Sequence, residues 1–131
     1  MKVVVFGPVD YYNNKLVEEA LADCGFEITE ILTTDDPGVA AAVRFIAEVK
    51  KIPCRVLAPD WDNLNTPKAE VRVKNGKKYN HRAGVDRNKS LVEIGDAFVL
   101  IVVGKPSEML KNINRWIADL NKPVFILNIP A

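Results

Sequence analysis

The stretch His81–Asn88, HRAGVDRN, concentrates groups that bind anions or move protons. It holds the single histidine of the chain, two arginines, an aspartate, an asparagine and a glycine, and runs straight into KSLVEIG, a helical pattern. Guanidinium groups suit phosphate or carboxylate through paired hydrogen bonds. An arginine in a first helical turn gains nothing from the helix dipole, which favours a specific partner for Arg87. The alternative is a solvated side chain, or one paired with Asp86 or Asp60. His81 has no cysteine or second histidine to complete a metal site and no serine–acid pair to form a triad, so an exposed loop histidine is expected.

Three other stretches carry chemistry. GKPSEML (104–110) joins an apolar run to a helix, where amide groups and Lys105 suit a phosphate; the alternative is that Pro106 simply opens the helix. Glu108 complements the dipole there and needs no catalytic role. In TTDDPG (33–38), Asp35 and Asp36 repel an anion but suit a cation or ribose hydroxyls, while Asp36 before Pro37 also predicts a capping carboxylate. Trp61, in PDWDN, can stack on a base or pack beneath its loop. Trp116 lies on an apolar helical stripe and is expected in the core. Gly7 ends the first apolar run, where backbone must turn or approach a ligand. Neither a G-x-G-x-x-G nor a Walker sequence is present, which disfavours dinucleotide binding of the dehydrogenase type.

The elements that must position these groups follow from periodicity. KVVVF (2–6) predicts a strand buried on both faces. Asn13 or Asn14 caps a helix with Leu16, Val17, Ala20, Leu21 and Cys24 on one face, stopped by Gly25. FEITEIL (26–32) predicts a strand. Val39, Val43, Ile46 and Val49 stripe a second helix, and IPCRVLAP (52–59) forms a third strand. AFVLIVV (97–103), the most hydrophobic run, is predicted as the central strand. Pro106 opens a helix striped by Met109, Leu110, Ile113, Trp116, Ile117 and Leu120, and PVFIL (123–127) is the last strand. Asn75-Gly76 between alternating residues signals a hairpin. Six cations stand against three acids over 60–82, in a chain whose net charge is +1. Strands alternating with helices predict an α/β, Rossmann-like, mostly parallel sheet of about five strands with helices on both faces and an inserted hairpin. Ligands of such sheets bind at the carboxyl ends of the strands, near the switch in strand order.

One domain is expected for 131 residues, here 48% hydrophobic and 27% charged. The near-neutral balance gives no global pull toward nucleic acid or a membrane. Cys24 and Cys54 have no metal-type spacing and sit in apolar patterns, so buried free thiols in a reducing compartment are expected. The first apolar run is too short for a signal segment or a membrane span, which points to the cytoplasm.

Several motifs occur in an order that resembles the YspA-like branch of the SLOG superfamily, the Rossmann-like group that includes the lonely-guy phosphoribohydrolases and DprA-type proteins. They are FGPVDY, LTTDDPGVAAA, LAPDW, AGVDRNKSLVEIGD and GKPSEM, covering nearly the whole chain. Ala83-Gly84-x-x-Arg87-Asn88, with Asp96 eight residues on, matches best. The outer motifs depart. Val9 stands where the family has arginine, Ala40 where it has aspartate, and the glycine-rich second loop keeps only Gly38. Pro106-Ser107-Glu108 replaces a glycine–threonine phosphate loop, and residues 62–82 are an insertion.

The resemblance implies a nucleotide or nucleotide-derived ligand, ADP-ribose-like or a nucleoside phosphate, bound without strong catalysis and without a metal or cofactor. Gly7, Asp10 and Gly38 then line the first loops and Trp61 stacks the base. Gly84, Arg87 and Asn88 contact phosphate or ribose, and Lys105 and Ser107 face a phosphate. Arg87→Ala is expected to weaken an anionic ligand with little loss of stability. One alternative is an N-glycosidic hydrolase of nucleoside monophosphates, with Glu108 or an aspartate assisting departure of the base. Another is a protein-interaction or nucleic-acid-binding module using the basic 68–82 segment. A homodimer is the expected assembly.

Overall fold

Lys2–Phe6 (β1) places three valines and a phenylalanine out of solvent, as a strand covered on both faces requires. The computed structural model describes residues 1–65 and 68–131. After β1 come α1 (Asn14–Asp23), β2 (Glu30–Thr34), α2 (Val39–Val49) and β3 (Cys54–Leu57). A hairpin of β4 (Val71–Lys74) and β5 (Lys77–Asn80) precedes α3 (Ala83–Ile94), β6 (Ala97–Val103), α4 (Glu108–Asp119) and β7 (Val124–Ile129). The five main strands are all parallel in the order β3-β2-β1-β6-β7. One core joins α1 and α2 to one face through Val17, Val43 and Ile46; the other joins α3 and α4 to the opposite face through Leu91, Ile113 and Ile117. The α/β sheet with helices on both faces and a separate hairpin is the architecture that the alternating pattern predicts.

Some boundaries and placements differ from expectation. The second strand begins at Glu30, four residues after Phe26, because the ladder with β1 starts at the Lys2–Glu30 pair. Phe26 and Ile28 instead pack against the α1/α2 core from outside the sheet. The middle position belongs to β1, with β6 beside it. Both strands are flanked and covered, so hydrophobicity alone does not rank them. The third strand shortens to Cys54–Leu57 at the sheet edge, which leaves Cys54 exposed rather than buried. Cys24 is buried as expected. Val49 and Leu120 end their stripes beyond the core and are exposed, and Trp116 is only half-buried, with the Lys89 ammonium 5.1 Å from its ring centroid.

Lys122 closes the α3/α4 layer. Its ammonium donates to the carbonyls of Val92, Glu93 and Gly95 at 2.9, 2.6 and 2.8 Å, satisfying the end of α3. The hairpin turn is as predicted: Asn75 and Gly76 have φ of 52° and 77°, the paired left-handed conformation of a two-residue loop. No helix is long and apolar enough to cross a membrane among the described residues.

Candidate functional site

The first two loops touch, and that contact explains both of their glycines. A Cβ on Gly7 would lie 2.6 Å from a methyl of Val39, the first residue of α2. Gly38 has φ +75°, and a Cβ there would lie 2.4 Å from the Pro8 carbonyl oxygen. That carbonyl accepts the Val39 N–H at 3.0 Å. Asp36 therefore does not cap α2: the helix begins after Gly38, with no side-chain cap. Pro8 serves the helix start, and Pro37 and Gly38 separate the Asp36 carboxylate from it.

Two arginines hold the 34–36 loop. From α2, Arg44 Nη1 donates to the carbonyls of Thr34 and Asp36 at 2.7 and 2.9 Å. From α3, Arg87 donates to Asp35 at 2.9 Å, to Asp36 at 3.2 Å and to the Asn88 side-chain oxygen at 2.9 Å. The Arg87 side chain is only 8% exposed. Thr34 Oγ1 donates to Asp36 at 2.9 Å. The helix starts at Ala83, so Arg87 falls just past its first turn rather than within it; its specific partner is a pair of carboxylates on the neighbouring loop, not Asp86 or Asp60.

Beside this ion pair lies a cleft of ≈ 480 Å³ at the carboxyl ends of β1, β2 and β6. Its floor is apolar: Phe6, Met109, Leu110 and Ile113. Gly7 and Asp10 enter from the loop after β1, Thr34 from the end of β2, Asp36 from the loop that follows it, and Asn88 from α3. Lys105 and Ser107 enter from the loop after β6. Asn88 is 7% exposed. Its oxygen is taken by Arg87, so its amide NH2 is the group left to serve a ligand. Ser107 caps α4, its hydroxyl accepting the Leu110 N–H at 3.1 Å. The helix therefore opens at Glu108, two residues after Pro106.

Five of the nine predicted ligand contacts share this cleft: Gly7, Asp10, Asn88, Lys105 and Ser107. Arg87 lines a neighbouring pocket of ≈ 230 Å³ with Asp60, Asn80 and Asp86. Gly38 is buried between the loops, and Gly84 lies under Trp61. Trp61 faces a groove on the hairpin instead. Glu108 points outward with its side chain 86% exposed, and pairs with Lys111 at 3.3 Å. Asp36, whose carboxylate the sequence marks as suited to ribose hydroxyls, also lines the cleft, and Thr34 and Met109 join it without a sequence motif of their own; their place at the end of β2 and the start of α4 is the available signal. Among the described residues no cluster of three or more metal-ligating side chains occurs. His81 is exposed as expected, and the Cys54 thiol is pushed above its ordinary pKa by partial desolvation.

No protein-family description, no curated protein and no solved structure gives a significant match to this chain.

Proposed function

We propose that the chain binds a nucleotide or nucleotide-derived small molecule in the cleft between the loops after β1 and β6. The carrying observation is position. Chain order reverses between β1 and β6, since β2 and β3 lie on one side and β7 on the other. Open α/β sheets take ligands at that crevice.

The distribution of charge supports the class. Asp10 and Asp36 stand on the β1 and β2 side, whereas Lys105 and the amino end of the twelve-residue α4 stand on the β6 side. A ligand with one anionic end and a hydroxyl-rich body matches both. Its phosphate meets Lys105, the Ser107 hydroxyl and the first amides of α4. Its ribose hydroxyls donate to Asp10, and the Asn88 amide reaches the body of the ligand. The likeness to the SLOG motifs points the same way. The outward Glu108 gives no support to glycosidic cleavage by that residue.

A thermal-shift series tests this reading, because a ligand that binds only the folded state raises Tm by mass action. Nucleoside monophosphates or ADP-ribose are expected to raise Tm, and unphosphorylated nucleosides to raise it less. Lys105→Ala is expected to weaken the phosphorylated ligands about tenfold, the scale of one lost charge-assisted contact. A flat response to every nucleotide overturns the proposal.

A further inference from the structure

The inserted hairpin carries a second surface that shares no residue with the cleft. In the β4–β5 ladder Arg72 faces Tyr79 and Lys74 faces Lys77, so these four side chains occupy one face. Trp61 and His81 extend it. The Trp61 and Tyr79 rings meet edge to face at 6.3 Å between centroids, and Tyr79 and His81 at 6.1 Å. Together with Lys74 and Lys77 they line an open groove of ≈ 680 Å³.

This aromatic row is built into the fold. The Trp61 carbonyl accepts the Asn80 N–H at 2.6 Å. The buried Asn80 side chain accepts the N–H groups of Glu70 and Arg82 at 3.2 and 3.0 Å, tying the hairpin's open end to α3. The Trp61 ring lies over Gly84, its nearest atom at an ordinary contact distance of 3.5 Å from where a Cβ would stand. Yet Trp61 remains 46% exposed. The outer part of a costly aromatic surface is thus held in place and left open.

The charge pattern is equally uneven. Lys74 and Lys77 are directly opposed at the tip, a like-charge pairing that disfavours the ladder. Among the described residues Lys77 has only Asp62 as an ion-pair partner, at 3.3 Å, with both side chains more than 70% exposed, a pair that water already screens. Lys74 makes no ion pair among the described residues. A phosphate lying across the tip relieves the repulsion, and flat rings alongside give bases a stacking surface.

We infer that the Trp61–Tyr79–His81 face binds single-stranded nucleic acid, with bases stacking on Trp61 and Tyr79 and the backbone following Lys74 and Lys77. Stacking needs unpaired bases, and a ladder of four residue pairs with two opposed lysines lacks the reach to follow a duplex. The inference does not depend on the occupant of the cleft.

Fluorescence anisotropy with labelled oligodeoxythymidine, oligouridine and a DNA duplex tests it, with binding also read as quenching of Trp61 in a Trp116→Phe background. At least one single strand is expected to bind more tightly than the duplex; the DNA and RNA arms assign the sugar. Trp61→Ala is expected to weaken binding about tenfold, and Trp61→Phe to retain most of it. The double change Lys74→Ala, Lys77→Ala is expected to lower the log–log salt slope by about 1.4, the value for two phosphate contacts on a single strand. Circular dichroism confirms that each variant is folded; Trp61→Phe and the lysine pair decide if Trp61→Ala is not. No binding at about 50 mM salt and ~100 µM protein overturns the inference. So does tighter binding of the duplex, or affinity unaltered by both the Trp61 and the lysine changes.

Discussion

Arg87 joins α3 to the loop after β2, and each of its three guanidinium nitrogens donates to a protein acceptor. Both carboxylates of the DD pair and the Asn88 oxygen accept from it, while its own side chain is nearly enclosed. The sequence motif suggests a ligand contact that can be removed at little cost to folding; the geometry reverses that balance. Asp35 and Asp36 stay 48% and 37% exposed, so losing the arginine does not strand them in a dry interior. Arg87→Ala is expected to destabilise the fold by about 1–3 kcal/mol, and Arg87→Lys by a similar amount, because Asn88, Asp35 and Asp36 are each met by a different nitrogen of the planar guanidinium, a spread that one ammonium nitrogen does not span. Urea unfolding measures both; unchanged midpoints would show that the ion pair contributes nothing. The residue type was legible from the sequence as anion-seeking. Its anion was not, since 51 positions separate Arg87 from Asp36 and only the parallel sheet brings them together.

Among the elements, β1 and β6 show how a strand pair is held in register by a side chain. Asp96, just before β6, accepts the Lys2 N–H at 2.8 Å and donates its own N–H to the Lys2 carbonyl at 2.8 Å. The hydrogen bond from Lys2 holds the Asp96 carboxyl below the usual carboxylate range, helped by the nearby charges of Lys2, the amino terminus and Lys122. A depressed folded pKa means stabilisation that is complete above the unfolded value of about 4 and lost as pH falls through the folded value. Asp96→Asn should therefore lower Tm near neutrality and flatten its decline below about pH 4. Thermal unfolding between pH 2 and 7 checks this, and parallel curves for the two proteins would refute it. Asp96 belongs to the motif that resembles a nucleotide-binding family, but here it serves the amino-terminal edge of the sheet, opposite the cleft.

At the scale of the molecule, the five-strand sheet and the hairpin differ in how much holds them. The sheet is enclosed by two hydrophobic layers, whereas among the described residues β4 and β5 pair only with each other, and they expose Val71 and Val73. A two-stranded ribbon is marginal by itself. Hydrogen exchange should accordingly find the amides of β4 and β5 exchanging by local opening, at least a hundredfold faster than those of β1 and β6. Equal protection in both would mean that the hairpin opens only with the whole fold.

Local order carried most of the architecture into the sequence. Continuous β-branched runs, helical stripes, Asn13 at a helix start and Asn75-Gly76 at a turn each express a short-range preference that neighbouring residues suffice to satisfy. Several candidate positions were legible too, because the ends of parallel strands are marked by glycine and by the next helix. What each group there does depends on which loops touch. Gly7 and Gly38 look like phosphate-loop glycines until Val39 and Pro8 are seen to fill the space a Cβ would need. Asp36 looks like a cap until Arg87 claims it, and Trp61 looks like a cleft residue until the hairpin draws it aside. Those assignments rest on contacts between segments far apart in the chain, whose energies no local pattern encodes.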